Sequence, residues 1–160
     1  MLGRSIEVRY EPVQWRVDDV AWKPSRFRGH VLVVDDSSAG RRMISRILGS
    51  VGLKVTTVDG GREACDLLLS SQKGRFDLVL MDVEMPDIDG CEATGLLRAS
   101  GYQGRIIALS ACAGAETRER CLECGCDDFA AKPISFEMLY GLVGRLLPAA
   151  RSSNRKRAFA

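Results

Sequence analysis

From residue 30 to residue 147 the apolar positions alternate between two rhythms. Short continuous runs, rich in Val, Ile and Leu, lie within His30–Asp36, Lys54–Val58, Asp77–Asp82, Arg105–Ser110 and Asp127–Ala131. Runs of this kind predict strands covered on both faces. Between them the apolar residues recur at helical spacing. Met43, Ile44, Ile47, Leu48 and Val51 predict one face of a helix over Ser38–Gly49. Asp59 is placed to cap a second helix whose apolar face uses Ala64, Leu67 and Leu68. Pro86 and Gly90 punctuate a loop over Glu84–Gly90, and a third helix is predicted from about Cys91 to Ala99. A fourth runs over Glu116–Cys124 and stops at Gly125, with Cys121 and Leu122 its main apolar anchors. Ser135 caps the last, where Phe136, Leu139, Tyr140, Val143, Leu146 and Leu147 form an apolar stripe.

Five βα units in succession predict a parallel sheet, because a helical crossover returns the chain in the same direction. The expected fold is an α/β doubly wound five-stranded sheet with flavodoxin-like order 2-1-3-4-5. Its switch point lies between the first and third strands, and ligands bind at the carboxyl ends of the strands there. Asp35, Asp36, Asp82, Ser110 and Lys132 all sit at or just past such ends. Three carboxylates, a hydroxyl and an ammonium group are therefore expected at one edge.

At 160 residues the chain fits one domain. The expected division is an N-terminal extension or linker over 1–28, a folded unit over 29–148, and a basic tail over 149–160 that reads as disordered. Charge follows the same division. Residues 30–147 hold 13 Lys/Arg and 17 Asp/Glu, a net of −4. The flanks carry the excess of base, +2 over residues 1–29 and +4 from Arg151, Arg155, Lys156 and Arg157. A mildly acidic folded part argues against a nucleic-acid partner. No uncharged apolar stretch approaches the ~18 residues of a membrane span, and the first residues lack a signal-peptide core. Cytoplasmic location with no membrane partner is the expectation.

The six cysteines do not change that picture. No export signal supports disulfides. Cys121, Cys124 and Cys126 lack a fourth ligand at a usual metal spacing, and the one histidine is His30. They read as small buried hydrophobes.

The carboxylates demand more. Crowded carboxylates repel, so either one keeps a proton or a cation sits among them. Oxygen-only ligands suit a hard divalent ion such as Mg²⁺. A carboxylate beside Mg²⁺, an ammonium and a hydroxyl is equipped to accept a phosphoryl group as an aspartyl phosphate. No Gly-rich phosphate loop competes for the role, and no histidine is placed for a Ser/His/Asp system.

Four ordered segments, Val31–Ser37, Met81–Gly90, Ile107–Ala111 and Asp127–Ile134, closely resemble the response-regulator receiver domain of two-component signalling. The run from Ala113 to Phe129 is similar to receivers attached to hybrid sensor histidine kinases. The resemblance implies that Asp82 accepts a phosphoryl group from a histidine kinase or histidine phosphotransfer protein. It implies Mg²⁺ held by Asp36 and Asp82, with Asp35 acting through water and the backbone carbonyl of Glu84 a further ligand. Ser110 and Phe129 would be the switch residues, Lys132 the phosphate-binding lysine, and Lys132–Pro133 a cis bond. Ser110 stands where Thr is commoner and Phe129 where Tyr is, while Glu84 and Cys112 occupy positions that tune phosphate lifetime in the family. A phosphoprotein that acts on a downstream protein target as a single-domain receiver, rather than an enzyme, is the expectation. A receiver severed from a hybrid kinase is the alternative. An aspartate-dependent Mg²⁺ phosphohydrolase is a third reading, since Glu84 has the spacing of a leaving-group acid.

Overall fold

Strands β1 (His30–Val34), β3 (Leu78–Asp82) and β4 (Ile106–Ser110) are buried at every position: their apolar runs are covered on both faces, and the polar ends His30, Asp82 and Ser110 are enclosed with them. Strands β2 (Lys54–Val58) and β5 (Asp128–Ala131) keep partly exposed residues and form the edges. The computed structural model describes residues 26–70 and 75–149. The sheet order is β2-β1-β3-β4-β5 with every pairing parallel, as the alternation predicts.

Five helices cover the two faces: α1 (Ser38–Ser50), α2 (Gly61–Leu69), α3 (Gly90–Ala99), α4 (Ala115–Glu123) and α5 (Phe136–Leu146). Side chains alternate across a strand, so Val31, Val33, Leu78, Leu80, Ile107 and Leu109 pack with α1 and α5. Leu32, Val34, Val79, Met81, Ile106 and Ala108 pack with α2, α3 and α4 on the other face.

Several details differ from the expectations. Only Ile44 and Leu48 of α1, and Val51 after it, are buried, at i, i+4 and i+7; Met43 is 44 % exposed. Asp59 does not cap α2. The N-cap is Gly60, whose missing side chain is replaced by the Asp87 carboxylate, which accepts from the Gly61 and Arg62 N–H groups at 3.2 and 2.9 Å. Of the expected anchors of α4, Cys121 is buried while Leu122 is 38 % exposed. Gly125 ends that helix at φ +107°, a conformation L side chains avoid. The Arg98 guanidinium then ties its carbonyl to those of Tyr102 and Gly104 and to Asp127.

The packed unit begins earlier than residue 29. Phe27 is buried, donates its N–H to the Val51 carbonyl at 2.8 Å and bridges to Ala149. The expected extension and tail otherwise lie outside the described residues.

All six cysteines are free thiols. Cys91 and Cys121 touch, with Sγ atoms 3.8 Å apart, and burial pushes the thiols up to about 11 and about 12. Protonated and enclosed, they serve as packing groups.

Candidate functional site

β1 ends at Val34, so Asp35 and Asp36 are delivered at the first residues beyond it. Asp82 is the last residue of β3, which lies beside β1 in the sheet. Carboxylate oxygens of the three aspartates all lie within 4.8 Å of one another. Asp35 and Asp82 are buried and Asp36 is exposed.

Each buried carboxylate is held at both oxygens. Asp35 accepts from the Ser37 N–H at 2.8 Å and from Lys132 Nζ at 2.9 Å. Asp82 accepts from the Glu84 N–H at 3.1 Å and from Lys132 Nζ at 2.9 Å. Lys132 follows β5 and reaches across β4 to bridge the pair. Burial disfavours its charge, but the two aspartates more than offset this and raise its pKa. The Lys132–Pro133 bond is cis, as the resemblance implies.

One ammonium does not neutralise three carboxylates. With all four ionised the formal charge is −2. Burial, reinforced by Asp35 and only partly countered by Lys132, pushes Asp82 up to about 6. Three crowded carboxylates facing one ammonium leave the site short of positive charge. Among the described residues it is the one His/Cys/Asp/Glu group whose atoms converge as metal ligands do. Its oxygen donors suit a divalent cation.

Ser110 ends β4 with its side chain fully enclosed. Its hydroxyl donates to Glu84 Oε1, and Glu84 Oε2 accepts from the Ala111 N–H at 3.2 Å. Burial opposes ionisation of Glu84, but hydrogen bonds from Ser110 and Ala111, joined by its own N–H and by Asp82, outweigh it and hold the carboxyl below its ordinary range. Phe129 is half-buried on edge strand β5 against the α2–α3–α4 core. The Glu84 carbonyl lies in the loop leaving β3.

Two features escaped the sequence reading. The spacing of Glu84 two residues past Asp82 marked it as a tuning position or a leaving-group acid, but not as a side chain bound to Ser110 and Ala111 at the end of β4. Gly90 reads as loop punctuation but is the first residue of α3. A Cβ there would lie 2.2 Å from the Asp82 carbonyl oxygen.

A family model described as the response regulator receiver domain matches residues 31–143. The sensor histidine kinase RcsC of Escherichia coli is 38 % identical over 109 residues, 68 % of this chain but 11 % of RcsC. Two-component response regulator 24 of Arabidopsis thaliana is 34 % identical over 115 residues, covering 72 % of this chain and 81 % of that protein. Among solved structures, the chemotaxis protein CheY4 of Vibrio cholerae superposes with a TM-score of 0.67 at 33 % identity, over 75 % of this chain and 99 % of that one. The chain thus spans about a tenth of the length of the sensor histidine kinase it matches and most of the length of the two regulators. No helix among the described residues is long and apolar enough to cross a membrane.

Proposed function

Because the chain belongs to the response regulator receiver domain family of two-component signalling, we propose that Asp82 receives a phosphoryl group from a histidine kinase or histidine phosphotransfer protein. The observation that carries this reading is the bridge from Lys132 Nζ to both Asp82 and Asp35 at 2.9 Å, next to exposed Asp36. An Asp82 oxygen attacks phosphorus, the P–N bond to the donor histidine breaks, and the imidazole leaves with the bond's electrons. Lys132, already at the carboxylate, neutralises the phosphoryl oxygens. Asp36 and Asp82, with Asp35 behind them, would hold Mg²⁺, which when bound supplies further positive charge to the same oxygens. The protein acts as a phosphoacceptor and switch rather than as a turnover enzyme.

The phosphohydrolase reading is not favoured. Glu84 is ionised and tied to Ser110 and Ala111, so it has no proton ready for a leaving group.

Acetyl phosphate with Mg²⁺ should add one acid-stable, base-labile phosphoryl group, and excess chelator should prevent it. An Asp36→Ala variant should lose the metal-dependent reaction by at least about tenfold, since a carboxylate ligand is gone. Unchanged labelling in chelator, or in Asp36→Ala, contradicts the metal's role.

The output surface is proposed to be the face of α4, β5 and α5. Cys121 is the one buried side chain of α4, so this helix is the easiest to shift. Phosphorylation would draw Ser110 inward and let Phe129 follow, changing the face offered to a downstream protein. Amide hydrogen exchange with a phosphoryl mimic should change at residues 110–135. Changes confined to residues 30–60 contradict this.

A further inference from the structure

The Ser110 hydroxyl has one proton to donate. In this structure that proton is committed to Glu84 Oε1, while the oxygen's lone pair accepts from the Cys112 N–H at 3.0 Å. The neighbouring Ala111 N–H is committed to Glu84 Oε2. β3 and β4 are paired with Asp82 opposite Leu109, so these two donors sit immediately past the residue facing the proposed acceptor. The Glu84 backbone is itself fastened to Asp82 through its N–H. A carboxylate therefore already fills the anion-binding donors at the end of β4, one strand from Asp82.

We propose that Glu84 is a latch, an internal anion that occupies the Ser110 hydroxyl and the Ala111 N–H and must swing out before a phosphoryl group on Asp82 can engage them. The proposal rests on Asp82 being the phosphoacceptor and names what restrains its switch. A carboxylate and a phosphoryl group of charge about −1.5 to −2 cannot share one pair of donors without strong repulsion. Release is feasible because Glu84 is exposed. It borders an open cleft with Asp36, Asp89, Cys112, Thr117 and Arg120, so its carboxylate can move into water there, although Arg120 is already paired with Asp89 at 2.6 Å. The latch therefore sets how much of the phosphoryl group's binding is spent on freeing Ser110. It holds the strand-end donors in one place until an anion displaces it.

Beryllofluoride with Mg²⁺ serves as the phosphoryl probe, titrated by NMR against the parent, Glu84→Ala, Ser110→Ala and the double variant. Losing charge-assisted hydrogen bonds to Glu84 should tighten beryllofluoride binding by roughly tenfold in Glu84→Ala. In the Ser110→Ala background the same substitution should gain about threefold or less, because the main latched donor is gone. Without the probe, the Ala111 amide should exchange faster in Glu84→Ala than in the parent. An equal gain in both backgrounds shows that Glu84 acts by charge repulsion alone and overturns the latch. So does unchanged or weaker binding in Glu84→Ala. A parent that fails to bind beryllofluoride overturns the phosphoacceptor reading, and the latch with it. Far-ultraviolet circular dichroism of each variant guards against misfolding.

Discussion

Replacing Asp82 with asparagine is expected to abolish phosphoryl acceptance and, without metal, to make the protein more stable. The first effect follows from removing the nucleophilic oxygen, since an amide cannot form the acyl phosphate. The second follows from Asp82's raised pKa. Its ordinary value is 3.8 and burial, first among its causes, lifts it to about 6 in the folded protein. Between those values the folded state binds more protons than the unfolded one, so stability falls as pH rises through this window. At neutral pH the full cost is present, about 1 to 3 kcal/mol once sharing with Asp35 and Lys132 is allowed for. Asparagine carries no such cost. Urea unfolding in chelator should give parent and variant similar stability at pH 4, and a variant more stable by about 1 to 3 kcal/mol at pH 7. Added Mg²⁺ should stabilise the parent and not the variant, narrowing or reversing the order. A variant less stable than the parent at pH 7 in chelator contradicts the electrostatic account.

Gly90→Ala is expected to be strongly destabilising for a change of a single methyl group. The added Cβ would lie 2.2 Å from the Asp82 carbonyl oxygen, 2.9 Å from its carbon and 3.0 Å from Met81 Cγ. Two of these three are backbone atoms of β3, which no rotamer change can move. The Gly90 N–H also donates to the Val83 carbonyl at 2.9 Å, fixing the start of α3 against the strand end. Relief requires α3 to lift from β3, displacing Asp82 from Lys132. Overpacking of this kind costs typically about 1–3 kcal/mol, and backbone contact places this case at or above the upper end. Phosphorylation should fall with stability. Gly95→Ala in the same helix is the control, because nothing lies within 4 Å of its added Cβ. It should stabilise by roughly 0.5–1 kcal/mol. Urea midpoints of the two variants check the contrast, and equal midpoints contradict it.

The parts of this molecule that were legible in sequence are those encoded locally. β1, β3 and β4 are continuous apolar runs because both faces are covered, and the helices between them leave parallel pairing as the solution. The convergence of Asp35, Asp36 and Asp82 followed from the switch point of that topology. What stayed hidden depends on contacts between distant positions. Asp87 caps α2 from 26 residues away, where local chemistry pointed to Asp59. Phe27 joins the core through a bridge to Ala149, a pairing without a periodic signature. Met43 looked like core because the helical wheel gives the stripe's direction but not its width. The Glu84–Ser110 contact joins the loop after β3 to the last residue of β4, which become neighbours only once β3 and β4 have paired.

Reductive trapping locates the acylated carboxylate directly. The protein is treated with acetyl phosphate and Mg²⁺, reduced with borohydride to convert the aspartyl phosphate to homoserine, digested, and sequenced by mass spectrometry. Homoserine should replace Asp82 and no other aspartate, and the signal should vanish when chelator is present during phosphorylation. Homoserine at position 35 or 36, or a phosphoryl group that resists base and leaves Asp82 unreduced, contradicts the assignment of Asp82 as the acceptor.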